Sequence, residues 1–365
     1  MPARNTLTNR FADRLRKDLY AGRWSSNRPL PSERVLAERY KISRVTVRRS
    51  LKLLCRERLI EVRPARGYFV LPGASGAGET SAGRAVLFVQ RGVRDRPTLD
   101  SLHTSIVNGA LAEAHAEGLE VYILCQHLPD FRRTLREQWG ERLRGVLLDW
   151  ARPDLAATLI EEEIPFVVVE TDIEGLAVTS VIQDNAGGVR QALKHLHERG
   201  HRRIALILAE EDSVHARQRL GAYREFLLCA GLPPNPAWVA RETLDEAGGR
   251  RAAAALLESA GERPTAVLAA HREMLPGVAA ELAARGLSWP RDVSLVVWGE
   301  PEPGEPGGEI DDVTHVAWSK EAMGRLAVRA LEERIKAGRP ERLVMRIEAR
   351  LVDRGSVGAP AAGRS

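Results

Sequence analysis

From residue 85 onward, short apolar runs and amphipathic stretches take turns along the chain. AVLFVQ (85–90), LEVYILC (119–125), GVLLDW (145–150), PFVVVE (165–170), SVIQ (180–183), RIALIL (203–208), TAVLAA (265–270) and VSLVVW (293–298) have strand character. Between most of them lie stretches of helical periodicity, among them SIVNGALAEAHAEG (105–118), GGVRQALKHLHERG (187–200) and ARQRLGAYREFLLCAG (216–231). Strand and helix in regular order predict βαβ units and a parallel sheet covered on both faces. The units are too many for one small sheet. The expected fold class is therefore α/β, with two doubly wound lobes flanking a cleft, behind a smaller N-terminal module.

That module has another pattern. Residues 7–20 place Leu7, Phe11, Leu15 and Leu19 on one helical face. Pro31 and Ser32 open a second helix, SERVLAERY, with Ser32 as its cap. After the turn Lys41-Ile42, Ser43 caps a third helix, RVTVRRSLKLLCRER, whose buried stripe is Val47, Leu51 and Leu54. Val45, Arg49 and Lys52 point the other way, with Arg44 and Arg48 on the flank. Three arginines near a helix N-terminus oppose the helix dipole unless an anion docks there. Two helices joined by a tight turn, the second one cationic, describe a helix-turn-helix. IEVR and YFVL follow, joined by PARG, as a two-stranded wing with Arg66 and Gly67 at its tip. On this reading Arg44 and Arg48 sit on the phosphate backbone, Val45, Thr46 and Arg49 face base edges, and Arg66 reaches a phosphate or the minor groove.

Charge sharpens the division. Residues 1–83 hold 18 Lys+Arg and 7 Asp+Glu, a net of +11, whereas the remainder holds 36 and 42, a net of −6. A basic head on a mildly acidic body suits a nucleic-acid-binding module joined to a domain with another task. PGASGAGETSAGR (72–84) reads as a linker and residues 357–365 as a tail, leaving a head over 1–71 and a body over 85–356. No run of about 18 apolar residues predicts a membrane span, and the N-terminus lacks the apolar stretch of a signal peptide. Cys55, Cys125 and Cys229 are far apart and odd in number, which fits a reducing cytoplasm.

The head carries a resemblance. PLPSERVLAERYKISRVTVRRSLKLLCRERLIEVRPARGYFV (29–70) resembles the winged helix-turn-helix of GntR-family transcription regulators in its Pro-Ser-Glu-Arg opening, its Ser-Arg-x-Thr-Val-Arg core and its Gly-x-Phe-Val wing end. The resemblance implies that Arg34, Ser43, Arg44, Thr46, Arg48 and the wing tip meet operator DNA. Val45 stands where the family often has a hydroxyl, pointing to a thymine methyl contact, and Ala65 replaces a frequent wing glycine. Residues 178–232 and 263–300 resemble the LacI/GalR-type effector domain, with Asp-Asn before a helix, His-Leu-x-x-x-Gly-His-Arg-Arg-Ile-Ala, and Ala-Arg-x-Arg-Leu. That resemblance covers roughly 84–356 and implies a periplasmic-binding-protein-like fold with two lobes and three crossovers. The whole is similar to the arabinose-repressor type, a GntR head fused to a LacI-type sensor.

In such a fold the ligand cleft lies outside the carboxyl ends of the strands. The candidate lining residues are Gln90, Arg91, Glu170, Thr171, Asp172, Ser213, Arg219, His271, Arg272, Trp298 and Glu300. Arg219 matches the family arginine that reaches the ligand, and its fork suits hydroxyls or carboxylates. His271-Arg272 and Trp298-Gly299-Glu300 depart from the Asn-Asp and aromatic-Asp expected there. An acidic or phosphorylated ligand, or a vestigial pocket serving a protein partner, stands beside a sugar.

Other signals have plainer readings. His195, His197 and His201 crowd together in HLHERGH, but neither a carboxylate nor a Cys completes a metal set. The acidic loop 299–312 reads as solvated rather than as a lid. Trp24, Trp139, Trp150, Trp238, Trp289 and Trp318 read as core or rim. No GxSxG elbow, Walker loop, HExxH or dinucleotide fingerprint supports an enzyme. A cytoplasmic repressor is expected, without metal, cofactor or membrane. It would be a homodimer on a palindromic operator, answering to a small-molecule effector. The resemblance puts the dimer contact on helices 105–118 and 276–285.

Overall fold

The computed structural model describes residues 7–20, 29–56, 59–63, 67–70, 83–90, 101–125, 131–150, 152–211, 213–258, 263–301, 312–338 and 342–360. The linker 72–82, Arg66, Arg91, Trp24, acidic loop residues 302–311 and tail residues 361–365 lie outside them, as does the Leu7 side chain. The chain divides into two compact units, residues 1–85 with 130–144, and residues 86–129 with 145–365.

In the first unit, α1 (Leu7–Tyr20), α2 (Glu33–Tyr40) and α3 (Arg44–Arg56) precede an antiparallel hairpin of β1 (Ile60–Arg63) and β2 (Gly67–Val70). Phe11, Leu15 and Leu19 of α1 close on Leu36 of α2 and on Val47, Leu51 and Leu54 of α3, the stripe that the 3.6-residue period predicts. Both expected caps form. Ser32 Oγ accepts from Val35 N, and Ser43 Oγ from Thr46 N. Lys41 ends α2 in the left-handed conformation, with its N–H turned to the Ala37 and Glu38 carbonyls. That reversal is the turn between the two helices. The wing strand begins one residue earlier than expected, because Gly67 pairs with Arg63.

The body contains two six-stranded sheets. The first has the order β13-β7-β6-β5-β3-β4, built from β3 (Ala85–Gln90), β4 (Glu120–Cys125), β5 (Leu143–Asp149), β6 (Phe166–Glu170), β7 (Thr179–Gln183) and β13 (Val344–Ile347). Helices α4 (Ser101–Ala116), α6 (Pro153–Glu161) and α11 (Lys320–Ala337) accompany it, and the short α5 (Phe131–Thr134) precedes β5. The second sheet has the order β14-β12-β11-β10-β8-β9, from β8 (Ile204–Ala209), β9 (Val239–Glu242), β10 (Ala266–Ala269), β11 (Ser294–Trp298), β12 (Thr314–Trp318) and β14 (Ala349–Val352). Its helices are α7 (Asn185–Glu198), α8 (Val214–Cys229), α9 (Glu246–Glu258) and α10 (Leu275–Ala284). The second sheet is parallel except for β14, which runs antiparallel to β12.

All eight apolar runs become strands. β3, β6, β7, β8, β10 and β11 are buried along their whole length, which is why they read as continuous hydrophobic runs. The chain passes between the sheets three times, after β7, after β12 and between β13 and β14. In the first lobe α4 and α11 cross closely. A Cβ on Gly109 would strike the Glu321 carbonyl oxygen, and one on Gly324 the Ile106 carbonyl oxygen. Arg329 of α11 grips Glu113 of α4 through Nε at 2.6 Å and Nη2 at 3.0 Å. Among the described residues no helix is long and apolar enough to cross a membrane.

Candidate DNA-binding face and interlobe site

The N-terminal half of α3 exposes Arg44, Val45, Arg48 and Arg49. Val45 is 58% exposed, an apolar side chain left in water among exposed arginines. Ser43 and Thr46 are joined by a 2.8 Å hydroxyl bond, so the cap also orients Thr46. Arg48 is not loose. Its Nε and Nη2 clamp the Glu33 carboxylate at 2.7–3.0 Å, and Tyr68 OH from the wing approaches the same carboxylate at 3.4 Å. The bonds from Arg48 hold the Glu33 carboxyl below the usual carboxylate range. One acid thus ties α2, α3 and the wing while leaving much of Arg48 in solvent. Arg34 reaches back to Glu38 at 2.9 Å. Arg34, Glu38, Lys41, Ser43 and Arg44 border a hollow of about 370 Å³ beside the turn. Gly67 enters β2 at φ +99°, a conformation that glycine adopts without strain.

In the body, the carboxyl ends of the strands converge between the lobes. Arg219, in the second turn of α8, is 3% exposed. Its Nε donates to Asn185 Oδ1 at 2.9 Å, its Nη1 donates to the Ala270 carbonyl, and its guanidinium carbon lies 4.0 Å from the Trp298 ring centre. Burial lowers its pKa to about 9, with Glu273 and Glu170 pulling the other way, so it stays charged at neutral pH.

Because Asn185 Oδ1 accepts from Arg219, its Nδ2 must donate. It serves Gln218 Oε1 at 2.9 Å and His215 Nδ1 at 3.2 Å. Gln183 Nε2 donates to the same Nδ1 at 3.0 Å. His215 Nδ1 is therefore an acceptor, and the ring proton sits on Nε2. Burial, then Arg219, drives the His215 pKa down to about 3, which fixes the ring as neutral. The same causes push His271 well below its ordinary value. His215 Nε2, Gln183 Oε1, Trp298 Nε1 and His271 Nε2 are buried with no hydrogen-bond partner. Such atoms are costly unless something else satisfies them. Trp150 and Glu170, at the ends of β5 and β6, both have positive φ, +55° and +71°, a rare state for residues other than glycine. The Trp150 ring lies 5.6 Å from that of His215.

The structure thus gathers Arg219, His271, Trp298 and Glu170 from the expected set. It holds Asp172 to Ser180 Oγ at 2.9 Å and Arg342 at 2.7 Å. Ser213 caps α8 through Ala216 N, and Glu300 pairs with Lys320 at 3.4 Å. Gln90 is buried at the end of β3, as are Thr171 after β6 and Arg272 after β10. Gln183, Asn185 and His215 were missed. The Asp-Asn that follows SVIQ was the available signal. His195, His197 and His201 go to separate partners, and both ring nitrogens of His201 are taken by Thr265, Ser294 and the Gly358 carbonyl.

Residues 7–70 match the family of bacterial regulatory proteins of the gntR type, and residues 193–357 match the periplasmic binding protein-like domain. Along the chain, a match to gntR-type regulatory proteins is thus followed by a match to the periplasmic binding protein-like domain. This head-and-body protein is 29% identical over 203 residues to the HTH-type transcriptional repressor PurR of Aliivibrio fischeri, covering 55% of this chain and 60% of the relative. It is 34% identical over 224 residues to the HTH-type transcriptional regulator CelR of Thermobifida fusca, covering 60% of this chain and 64% of that one. The chain therefore spans under two thirds of the length of either curated relative. Among solved structures, a transcriptional regulator CelR–cellobiose complex superposes with a TM-score of 0.64 at 25% identity, over 90% of this chain and 100% of that chain. These relatives are named as regulators, not enzymes.

Proposed function

We propose that this protein is a cytoplasmic DNA-binding transcription repressor whose operator affinity is set by a small molecule held between the lobes of its body, and that it has no enzymatic activity. The observation that carries the reading is the exposed start of α3, where Val45 stands among Arg44, Arg48 and Arg49 beside a wing. The head (1–71) reads DNA, the segment 72–84 links it, and the body (85–356) senses. The protein acts as a homodimer on a palindromic operator. The outer faces of α4, where Leu111 is exposed, and of α10 serve as the contact.

The effector is uncharged and rich in hydroxyls. Arg219 is already bonded to Asn185 and Ala270 and attracted by Glu170 and Glu273, so no strong positive field is left to an anion. The buried groups that await partners, His215 Nε2, Gln183 Oε1 and Trp298 Nε1, are neutral donors and acceptors of the kind hydroxyls satisfy. The cellobiose bound by the similar solved regulator agrees with that class. A thermal-shift panel of pentoses, hexoses, disaccharides, sugar phosphates and carboxylates tests the body, and fluorescence anisotropy on duplexes selected from a random pool tests the head. A dose-dependent rise in Tm with a neutral sugar, together with release from the selected duplex, is the expected result. A response confined to phosphates or acids overturns the ligand class, and failure to select any duplex overturns the repressor reading.

A further inference from the structure

We infer that the first lobe binds one divalent transition-metal ion through His103, Asp149 and Glu170. His103 lies in the first turn of α4, Asp149 ends β5 and Glu170 ends β6. Because β6 and β5 are adjacent and β3, which leads into α4, lies next to β5, the three side chains meet at one end of the sheet. One ligand atom from each lies within 4.8 Å of the others, and His103 Nε2 is 3.1 Å from Asp149 Oδ2. Asp149 is 0% exposed and Glu170 is 6% exposed.

Ordinary metal geometry is close at hand. Ligand distances of about 2.1 Å put tetrahedral ligand atoms about 3.4 Å apart. His103 and Asp149 already meet that spacing, and Glu170 needs to close by up to about 1.4 Å. One nitrogen and two oxygens suit zinc, manganese, iron or cobalt rather than the all-oxygen preference of calcium or magnesium. Three protein ligands also leave a coordination position open.

The site is separate from HLHERGH, and it was illegible in the sequence, where its members are spread over 68 positions from 103 to 170. The test uses the full chain stripped with EDTA and desalted, titrated with ZnCl₂ by calorimetry and with CoCl₂ by visible absorption, with no DNA present. Wild type should take up one equivalent and show cobalt bands stronger than those of the aqueous ion. His103→Gln and Asp149→Asn should each weaken binding at least about tenfold, while the double variant His195→Gln/His197→Gln binds as wild type does. Absence of cobalt bands in the wild type overturns the site without recourse to any variant. So does His103→Gln binding at wild-type strength, which would leave His103 and Asp149 as an ion pair and nothing more.

Discussion

Arg219 Nε donates to Asn185 Oδ1 at 2.9 Å, and that one bond decides where the proton on His215 resides. An asparagine that must accept on one side has only its amide hydrogens to offer on the other. Asn185→Asp keeps the acceptor for Arg219 but removes the donor to His215 Nδ1 and adds a negative charge. The His215 pKa should rise from about 3 towards its ordinary value. Side-chain ¹⁵N shifts of labelled histidine report both states. A wild-type His215 protonated on Nδ1 would refute the bond assignment.

Arg219→Lys tests the guanidinium fork. A lysine ammonium cannot bridge Asn185 and the Ala270 carbonyl in one plane while lying over Trp298. The effector-induced rise in Tm should disappear, while operator affinity without effector stays within about twofold, because the head is untouched. A normal dose response in this variant would place the effector elsewhere.

The buried histidines make stability depend on pH. Burial holds His195, His201, His215, His271 and His315 below their ordinary value. Between that depressed value and about 6.5 the unfolded chain binds protons that the folded chain refuses. Their stabilising contribution is whole above about pH 6.5 and is lost progressively as the pH falls below it, down to about 3 for His215. Tm should drop between pH 6.5 and 5, before most carboxylates titrate. His215→Gln should flatten the drop by up to roughly 1.4 kcal/mol per pH unit. An unchanged slope in that variant would remove His215 from the effect.

Gly109→Ala and Gly324→Ala should each destabilise the body by about 1–3 kcal/mol, since each added methyl meets a backbone carbonyl and the helices must part. Both lie in one crossing. Once it has opened, the second substitution should cost less than the first, so the double variant falls short of the sum. Urea unfolding of the full chain measures all three, and strict additivity would mean that the two sites give way independently.

In the head, Arg44→Ala should weaken binding to every duplex and lower the salt slope by about one unit. Val45→Ser should instead shift preference at a single base position by about 1–3 kcal/mol, leaving the slope alone. An unchanged slope for Arg44→Ala removes it from the phosphate contacts.

What could be read in advance followed burial. Val47, Leu51 and Leu54 keep helical time because one face of α3 is dry, and the interior strands are apolar because both faces are. β9 (VARE), β13 (VMRI) and β14 (ARLV) escaped notice. They lie at sheet edges, are half in solvent, and carry arginines that break the run. β12 (THVAW) is buried but has a threonine and a histidine where apolar residues would have announced it. The site divides in the same manner. Arg219 was found because it sits inside a recognisable local pattern. His103 with Asp149, and Gln183 with His215, are brought together by strand order and by the crossover after β7, neither of which leaves a spacing to find.

The crossing of α4 with α11 also has a consequence for synthesis. The lobe that the ribosome begins first is completed only after most of the second. Residues 101–116 emerge early, yet the helix that Gly109 and Gly324 press against them follows more than two hundred residues later, and the edge strand β13 comes later still. The second lobe has by then already released β8 to β12. On translating ribosomes the second lobe should gain protease resistance while α4 still presents a bare flank, a window in which a holdase has something to grip.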